Sequence, residues 1–305
     1  MEYFIQQVIN GLTLGGVYAL VALGYTMVYG IIQLINFAHG EIFAAGGYMG
    51  VILLSFLAAN GLTQSHPFLA LTLASVLTMG YCAMLAMALE KVAYKPLRHS
   101  TRLSVLLSAL GMSIFLQNGL MLTQGVYDKA YPTELVQGGF DWGTIRVSYM
   151  QIGILGGTSA LLILLNFLVF KTRIGKAMRA TAQDKVMSAL VGIHSDKVIS
   201  TTFAIGAALA AAAGIMVGMY YGSVRYDMGF VPGIKAFAAA VLGGIGNITG
   251  AMLGGLIIGM VEIMAAAYVP FGGEYKDVFA FVILISVLYF MPTGIMGENV
   301  DDTRV

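Results

Sequence analysis

The sequence predicts an all-α, polytopic membrane protein with about eight transmembrane helices and one short re-entrant or half-helix segment near residues 234–242. Three observations carry that reading. Of 305 residues, 58% are hydrophobic and only 10% are charged, with a mean hydropathy of +0.84, which lies far outside soluble composition. Apolar runs long enough to cross a hydrocarbon layer of about 30 Å recur along the chain. The basic residues are clustered, since four of the sixteen Lys and Arg fall between positions 91 and 102 and six between 171 and 197.

The apolar runs cover residues 8–29, 42–59, 68–89, 103–122, 150–170, 198–221, 249–269 and 278–291. The opening MEYFIQQVINGL carries an acid and no basic n-region, so the first run is expected to stay as a span. The run 234–242 is too brief to cross comfortably and ends in Gly243-Gly244-Ile245-Gly246-Asn247, the pattern of a half-helix buried in protein. Residues 1–305 are read as a single transmembrane domain interrupted by one long polar loop at 171–197.

Orientation follows from the basic clusters, because short loops rich in Lys and Arg remain cytoplasmic. Three spans precede Lys91, which places the N-terminus outside, and the loop 123–149, with Asp128, Lys129, Glu134, Asp141 and Arg146, outside as well. The C-terminus lies outside if 234–242 re-enters and inside if it crosses. The terminal ENVDDTRV carries too little basic charge to decide.

Glycines at Gly214, Gly218 and Gly222, at Gly246, Gly250 and Gly254, and at Gly255 and Gly259 give helix faces smooth enough for close approach. Packing within the chain and packing against a second subunit both fit that spacing.

Polar groups at membrane depth are the candidates for function. Asn36, His39 and Glu41 in INFAHGE either line a gate or satisfy the backbone of a sharp turn. They lack the HExxH spacing of a zinc site. Glu262 is the one acid deep inside an apolar run and must face protein or a cavity, with no Lys, Arg or Asp expected at that depth to continue a proton relay. Gln117 and Asn118 are expected to form interhelical hydrogen bonds or to line the pathway. A net charge of +1 offers no case for nucleic-acid binding, and the single Cys82 has no partner for a disulfide. No GxxxxGK[ST] or GxSxG occurs, so the chain carries no recognisable machinery for ATP hydrolysis or acyl transfer.

The polar loop is strongly patterned. Ile174, Met178, Ala182, Val186 and Leu190 repeat every four residues while Lys176, Arg179 and Lys185 fall elsewhere, which predicts helices over 175–181 and 185–191. Asp184 is placed to cap the second helix and Gly192 to end it. Such a helix pair either anchors the loop at the membrane surface or docks an apolar stripe on a partner.

The segment IGKAMRATAQDKVMSALVGI resembles the cytoplasmic coupling loop of ABC importer permeases. With GYTMVYGIIQLINFAHGEIF, LSALGMSIFLQNGLML, KAFAAAVLGGIGNITGAMLGGLIIGMVE, EYKDV and MPTGIMG, the likeness extends nearly end to end to the H-type permease subunit of bacterial branched-chain amino acid importers. That resemblance implies an ABC importer permease fold in the bacterial inner membrane. It also implies an M-type permease partner, two ATPase subunits, and a periplasmic binding protein delivering leucine, isoleucine or valine, with no cofactor in this chain. It places Met178, Ala182 and Val186 in the ATPase cleft, with Arg179, Asp184 and Gly192 beside them. The sequence departs from the family at Gln183, where an acid is usual, and at GNITG. Members of the wider family that move urea, short amides or other amino acids remain alternatives, as does a self-sufficient secondary transporter or channel.

The orientation is directly testable. With Glu2→Cys, an impermeant thiol reagent should label intact cells, and labelling only after permeabilisation would reverse the topology.

Overall fold

The computed structural model describes residues 1–98, 100–132 and 138–297. Glu134 and the terminal ENVDDTRV of the sequence reading lie outside these residues.

Each apolar run is found inside a helix whose ends are set by local chemistry. In chain order these are α1 (Glu2–Ile32), α2 (His39–Ala59), a single turn α3 (Leu62–Ser65), α4 (Pro67–Leu89), α5 (Arg102–Gln124) and α6 (Tyr149–Lys171). There follow α7 (Arg173–Gln183), α8 (Lys185–Leu190), α9 (Ser195–Tyr221), α10 (Phe230–Gly243), α11 (Ile248–Tyr268) and α12 (Gly272–Phe290). Ser148 and Gln151 form a reciprocal capping box on α6, and Asn247 accepts from the Gly250 amide at 2.9 Å to start α11. Among the described residues, seven helices are long and apolar enough to cross a membrane. The eighth expected span lies in α12, whose first two turns carry Glu274, Lys276 and Asp277.

The bundle is built around α1. It packs most extensively against α11 and α9, and the contacts are between backbones. A Cβ on Gly255 would lie 2.5 Å from Ala19 Cα, and Gly259 faces the backbone of Gly15. Gly206 of α9 sits against Gly24 of α1, and Gly214 against Phe43 and Gly47 of α2. Gly254 meets Ala239, Gly250 meets Gly243, and Gly218 meets Tyr131. All three glycine patterns are therefore used, at least in part, within the chain. By contrast Gly80, Gly111 and Gly119, on α4 and α5, face open space.

Two helices begin inside the bundle rather than at its surface. After α1 the chain turns at Gln33, in the left-handed region at φ 55, and runs without helix to Ala38. The first residue of α2, His39, then packs against Gly24, about eight residues back along α1 and so roughly 12 Å from its end. Similarly, Gly229 and Gly233 at the start of α10 lie against Gly40. At 14 residues α10 is about 21 Å long. The irregular residues before it complete the crossing, so this short helix traverses rather than returns.

The two ends of the bundle separate cleanly. At one end, Arg98 and Lys95 after α4 bond Asp196 at the root of α9 at 2.5 and 2.8 Å, so the two basic loops meet. The α10–α11 turn lies at this end, with Gly246 beside Gly30, and residues 295–296 bond back to Leu242 and Gly243. The described chain thus ends on the side of the basic loops, which is the crossing alternative of the sequence reading. At the other end, the Arg146 amide donates to Gln6 at 2.9 Å, which places the N-terminus with the 123–149 loop. That loop forms a hairpin of β2 (Gly139–Trp142) with β3 (Ile145–Ser148) and a short ladder of β1 (Lys129–Ala130) with β4 (Ser223–Val224). Tyr131 is buried between α2 and α9 and donates to the Gly47 carbonyl at 3.2 Å.

Two glycine substitutions separate close packing from mere flexibility. Gly259→Val should cost at least about 1–3 kcal/mol by overpacking and lower the melting temperature of the purified protein in detergent. Gly80→Ala, which meets nothing, should be neutral or stabilise by up to about 1 kcal/mol.

Candidate functional site

The loop between α6 and α9 folds as the expected helix pair, with boundaries shifted by a residue or two. Thr172 caps α7, accepting from the Gly175 amide at 3.2 Å, and a side chain at Gly175 would strike the last carbonyls of α6. That elbow folds α7 back onto the bundle. Asp184 stops α7 and caps α8, its carboxylate accepting from the Val186 and Met187 amides at 2.8 and 3.0 Å. Gly192 ends the pair at φ +86, the left-handed geometry that glycine adopts without penalty.

The extended backbone at Asp184 breaks the expected single ridge in two. Met178 is only 3% exposed and belongs to this chain's own core, whereas Ile174 is half-exposed. Ala182 is exposed, and so are Val186 at 70% and Leu190 at 77%. Met187 and Val191, which the i, i+4 count missed, extend the same open apolar face. Met178 is therefore placed to anchor α7, not to meet a partner directly. Arg179 stays exposed but reaches back to α6, donating to the Val169 carbonyl at 2.5 Å and lying over the Phe170 ring. Partial desolvation and the nearby Arg98 guanidinium lower the Lys185 ammonium from its usual value.

The polar residues INFAHGE do not converge on one point. Asn36 accepts from the Tyr94 hydroxyl of the segment after α4 at 2.7 Å, His39 packs edge-on to Tyr25 of α1, and Glu41 accepts from Ser113 of α5 at 3.4 Å. All three are at most 2% exposed. Each keeps one polar atom unpaired: Asn36 Nδ2, His39 Nε2 and Glu41 Oε2. A shallow recess lined by Tyr25, Tyr29, Ile35, Phe237, Ala240 and Ile245 lies beside the break. Gln117 is half-buried one turn beyond Ser113, and Asn118 is exposed, donating to the Ile114 carbonyl of its own helix at 2.8 Å.

Glu262 faces protein, as expected, but it is not alone. Lys235 of α10, 2% exposed, bonds Glu262 at 2.8 Å and Asp277 at 2.5 Å, while Lys276 reaches the other Glu262 oxygen at 3.2 Å. Tyr18 donates to Glu262 at 2.8 Å and lies under the Lys235 ammonium. The expectation that no Lys or Asp stands at this depth is thus corrected. Lys235 opens a run too short to count as a span, and Asp277 and Lys276 lie in the polar first turns of α12. Two positive and two negative groups cancel, which is how charge is tolerated away from water.

The family model described as branched-chain amino acid transport system, permease component, matches residues 7–288. The chain belongs to that family. The high-affinity branched-chain amino acid transport system permease protein BraD of Pseudomonas aeruginosa is 49% identical, with 97% of this chain and 96% of BraD covered. The LivH permease protein of Escherichia coli is 46% identical over the same shares. A probable branched-chain amino acid transport permease of Methanocaldococcus jannaschii is 28% identical over 92% of this chain and 88% of its own length. Membership makes the chain a multi-pass permease subunit of the bacterial inner membrane, a transport component rather than an enzyme. Family membership, not scarcity of buried charge, is what sets the secondary-transporter reading aside.

The quartet around Lys235 carries its own test. Lys235→Met should destabilise the permease by about 3–5 kcal/mol, because the buried Glu262 loses its buried partner and is left with the half-exposed Lys276 alone. Lys235→Met with Glu262→Gln leaves no buried charge, only the half-exposed Lys276 and Asp277 of opposite sign, and should recover most of the loss in detergent melting. A double variant no better than the single one would contradict the pairing.

Proposed function

We propose that the chain is the H-type subunit of a binding-protein-dependent importer for leucine, isoleucine and valine. It works with an M-type permease, two ATPase subunits and a periplasmic binding protein, and ATP is hydrolysed in the ATPase subunits. The near full-length likeness to relatives named for branched-chain amino acids supports this substrate class. The basic loops face the cytoplasm by the positive-inside rule, so α7 and α8 lie on the side where ATP is available.

In this reading α7 and α8 form the docking element. The observation that carries it is the apolar face of Ala182, Val186, Met187, Leu190 and Val191, exposed on a helix pair whose other face is held to the bundle by Met178 and Arg179. An apolar patch on a cytoplasmic surface calls for a cover, and burying a Val or Leu side chain contributes about 1.5–3 kcal/mol. Arg179, Asp184 and Gly192 act by holding the pair in shape, and charge on Lys185 contributes little. Asn36, His39, Glu41, Gln117, Asn118 and Glu262 are assigned to the pathway side of the subunit, the first three at the start of α2. Selection among amino acids rests mainly with the binding protein, because the charges of the Lys235 quartet already satisfy one another.

Ala182→Asp should bury an unpaired carboxylate in the docked complex, at a cost of several kcal/mol. It should abolish co-purification with the ATPase and leucine uptake while inserting normally. Gly192→Val should impair both, and Lys185→Ala should be mild. Wild-type uptake by Ala182→Asp with the ATPase still bound would reduce the loop to a membrane anchor.

A further inference from the structure

We propose that Arg98 is a positioning residue that carries displacement of the α7–α8 pair to the break in the membrane at residues 33–38. This rests on the docking role given to that pair above, and goes beyond it by naming the route.

The route begins where α8 joins α9. The Ile193 amide donates to Ser188, and Asp196 and Ser200 follow on the first two turns of α9. Both side chains face the end of α4. Asp196 accepts from Arg98 at 2.5 Å and from Lys95 at 2.8 Å, while Ser200 donates to Glu90 at 2.7 Å. Arg98 also bonds Glu90, so a single guanidinium joins the root of α9 to a carboxylate that is itself only 2% exposed. Lys185 on α8 is the further charge felt by this cluster.

The segment that Arg98 grips is not ordinary helix. Residues Glu90–Tyr94 form a π-helical turn, and Lys95–Leu97 form a 3-10 turn, so the winding changes twice between α4 and Arg98. Departures of this kind mark segments whose helical register can shift. On the same π turn, Tyr94 points inward, its ring 5.3 Å from Phe203 of α9 and its hydroxyl bonded to Asn36 at 2.7 Å. Asn36 lies in the non-helical stretch that sets where α2 begins, next to His39 and Glu41. Without Arg98, the bonds that remain among the described residues between α9 and this segment are the exposed Lys95–Asp196 pair and the single hydroxyl bond from Ser200 to Glu90. Neither is as directional as a two-armed guanidinium between two carboxylates.

Contiguity alone does not establish coupling, which requires a measured non-additivity. The experiment uses the full importer reconstituted in vesicles with its binding protein, and reads leucine uptake per ATP hydrolysed. Arg98→Ala should retain the ATPase subunits and basal hydrolysis but lower uptake per ATP at least about fivefold, a common size for coupling between sites. Arg98→Lys should restore part of the ratio. Tyr94→Phe, which removes only the hydroxyl, should lower the same ratio, and the double variant Arg98→Ala, Tyr94→Phe should be little worse than either single one. Additive losses in the double variant, or unchanged uptake per ATP in Arg98→Ala, would overturn the route. Loss of the ATPase from the Arg98→Ala complex would also count against it, since Arg98 would then support docking. The two readings fail separately: Ala182→Asp that keeps its ATPase and its uptake defeats the docking role. Ala182→Asp that loses them, beside an unaffected Arg98→Ala, defeats only this inference.

Discussion

In hydrocarbon α1 gains nothing by hiding its leucines, so its place between α9 and α11 rests on how closely the backbones approach. Gly15 against Gly259, Ala19 against Gly255 and Gly24 against Gly206 remove the side chains that would hold the helices apart. Dispersion between main-chain atoms then does what the hydrophobic effect does in water. Everything else is positioned from this seam. It fixes α11, which brings Glu262 to Tyr18, and it fixes α9, whose first turns meet the end of α4.

Polarity is admitted to this interior only where it is matched. The Lys235 quartet joins α10, α11 and α12 around a net charge of zero, and Tyr18 ties α1 to it. α10 packs its small residues Ala236, Ala238, Ala239 and Ala240 into the bundle, and the Lys235 ion pairs tie it to α11 and α12 as well. The unpaired atoms of Asn36, His39 and Glu41 are the contrast, since they stand where two helices start inside the bundle.

The spans were legible because bilayer thickness imposes both length and apolarity, and the observed helices agree with the apolar runs to within a few residues, apart from longer first turns on α1 and α12. Asp184 and Gly192 were legible because capping and left-handed termination are local chemistry. Met178 was not assigned correctly, since an amphipathic wheel gives a stripe but not what the stripe meets. The backbone break at Asp184 also rotates α8 relative to α7. The Lys235 quartet was hidden for another reason. Lys235, Glu262 and the adjacent Lys276 and Asp277 stand on three separate helices, and no local pattern announces such a pairing. Likewise INFAHGE reads as one cluster, yet its three side chains leave the turn in different directions toward α1, α5 and the end of α4.

Tyr131 has an effect at the opposite surface from the basic loops. Its ring is wedged against Gly50 and Gly218, and its neighbours Lys129 and Ala130 pair with β4. The described part of the outer loop is thereby tied to two helices and to the strand that leads into α10. Order that exists before an encounter is not lost during it, so a soluble protein settling on this face sacrifices mainly its own rotameric freedom. The described part of this face is thus anchored to α2, to α9 and to the strand before α10 ahead of any contact.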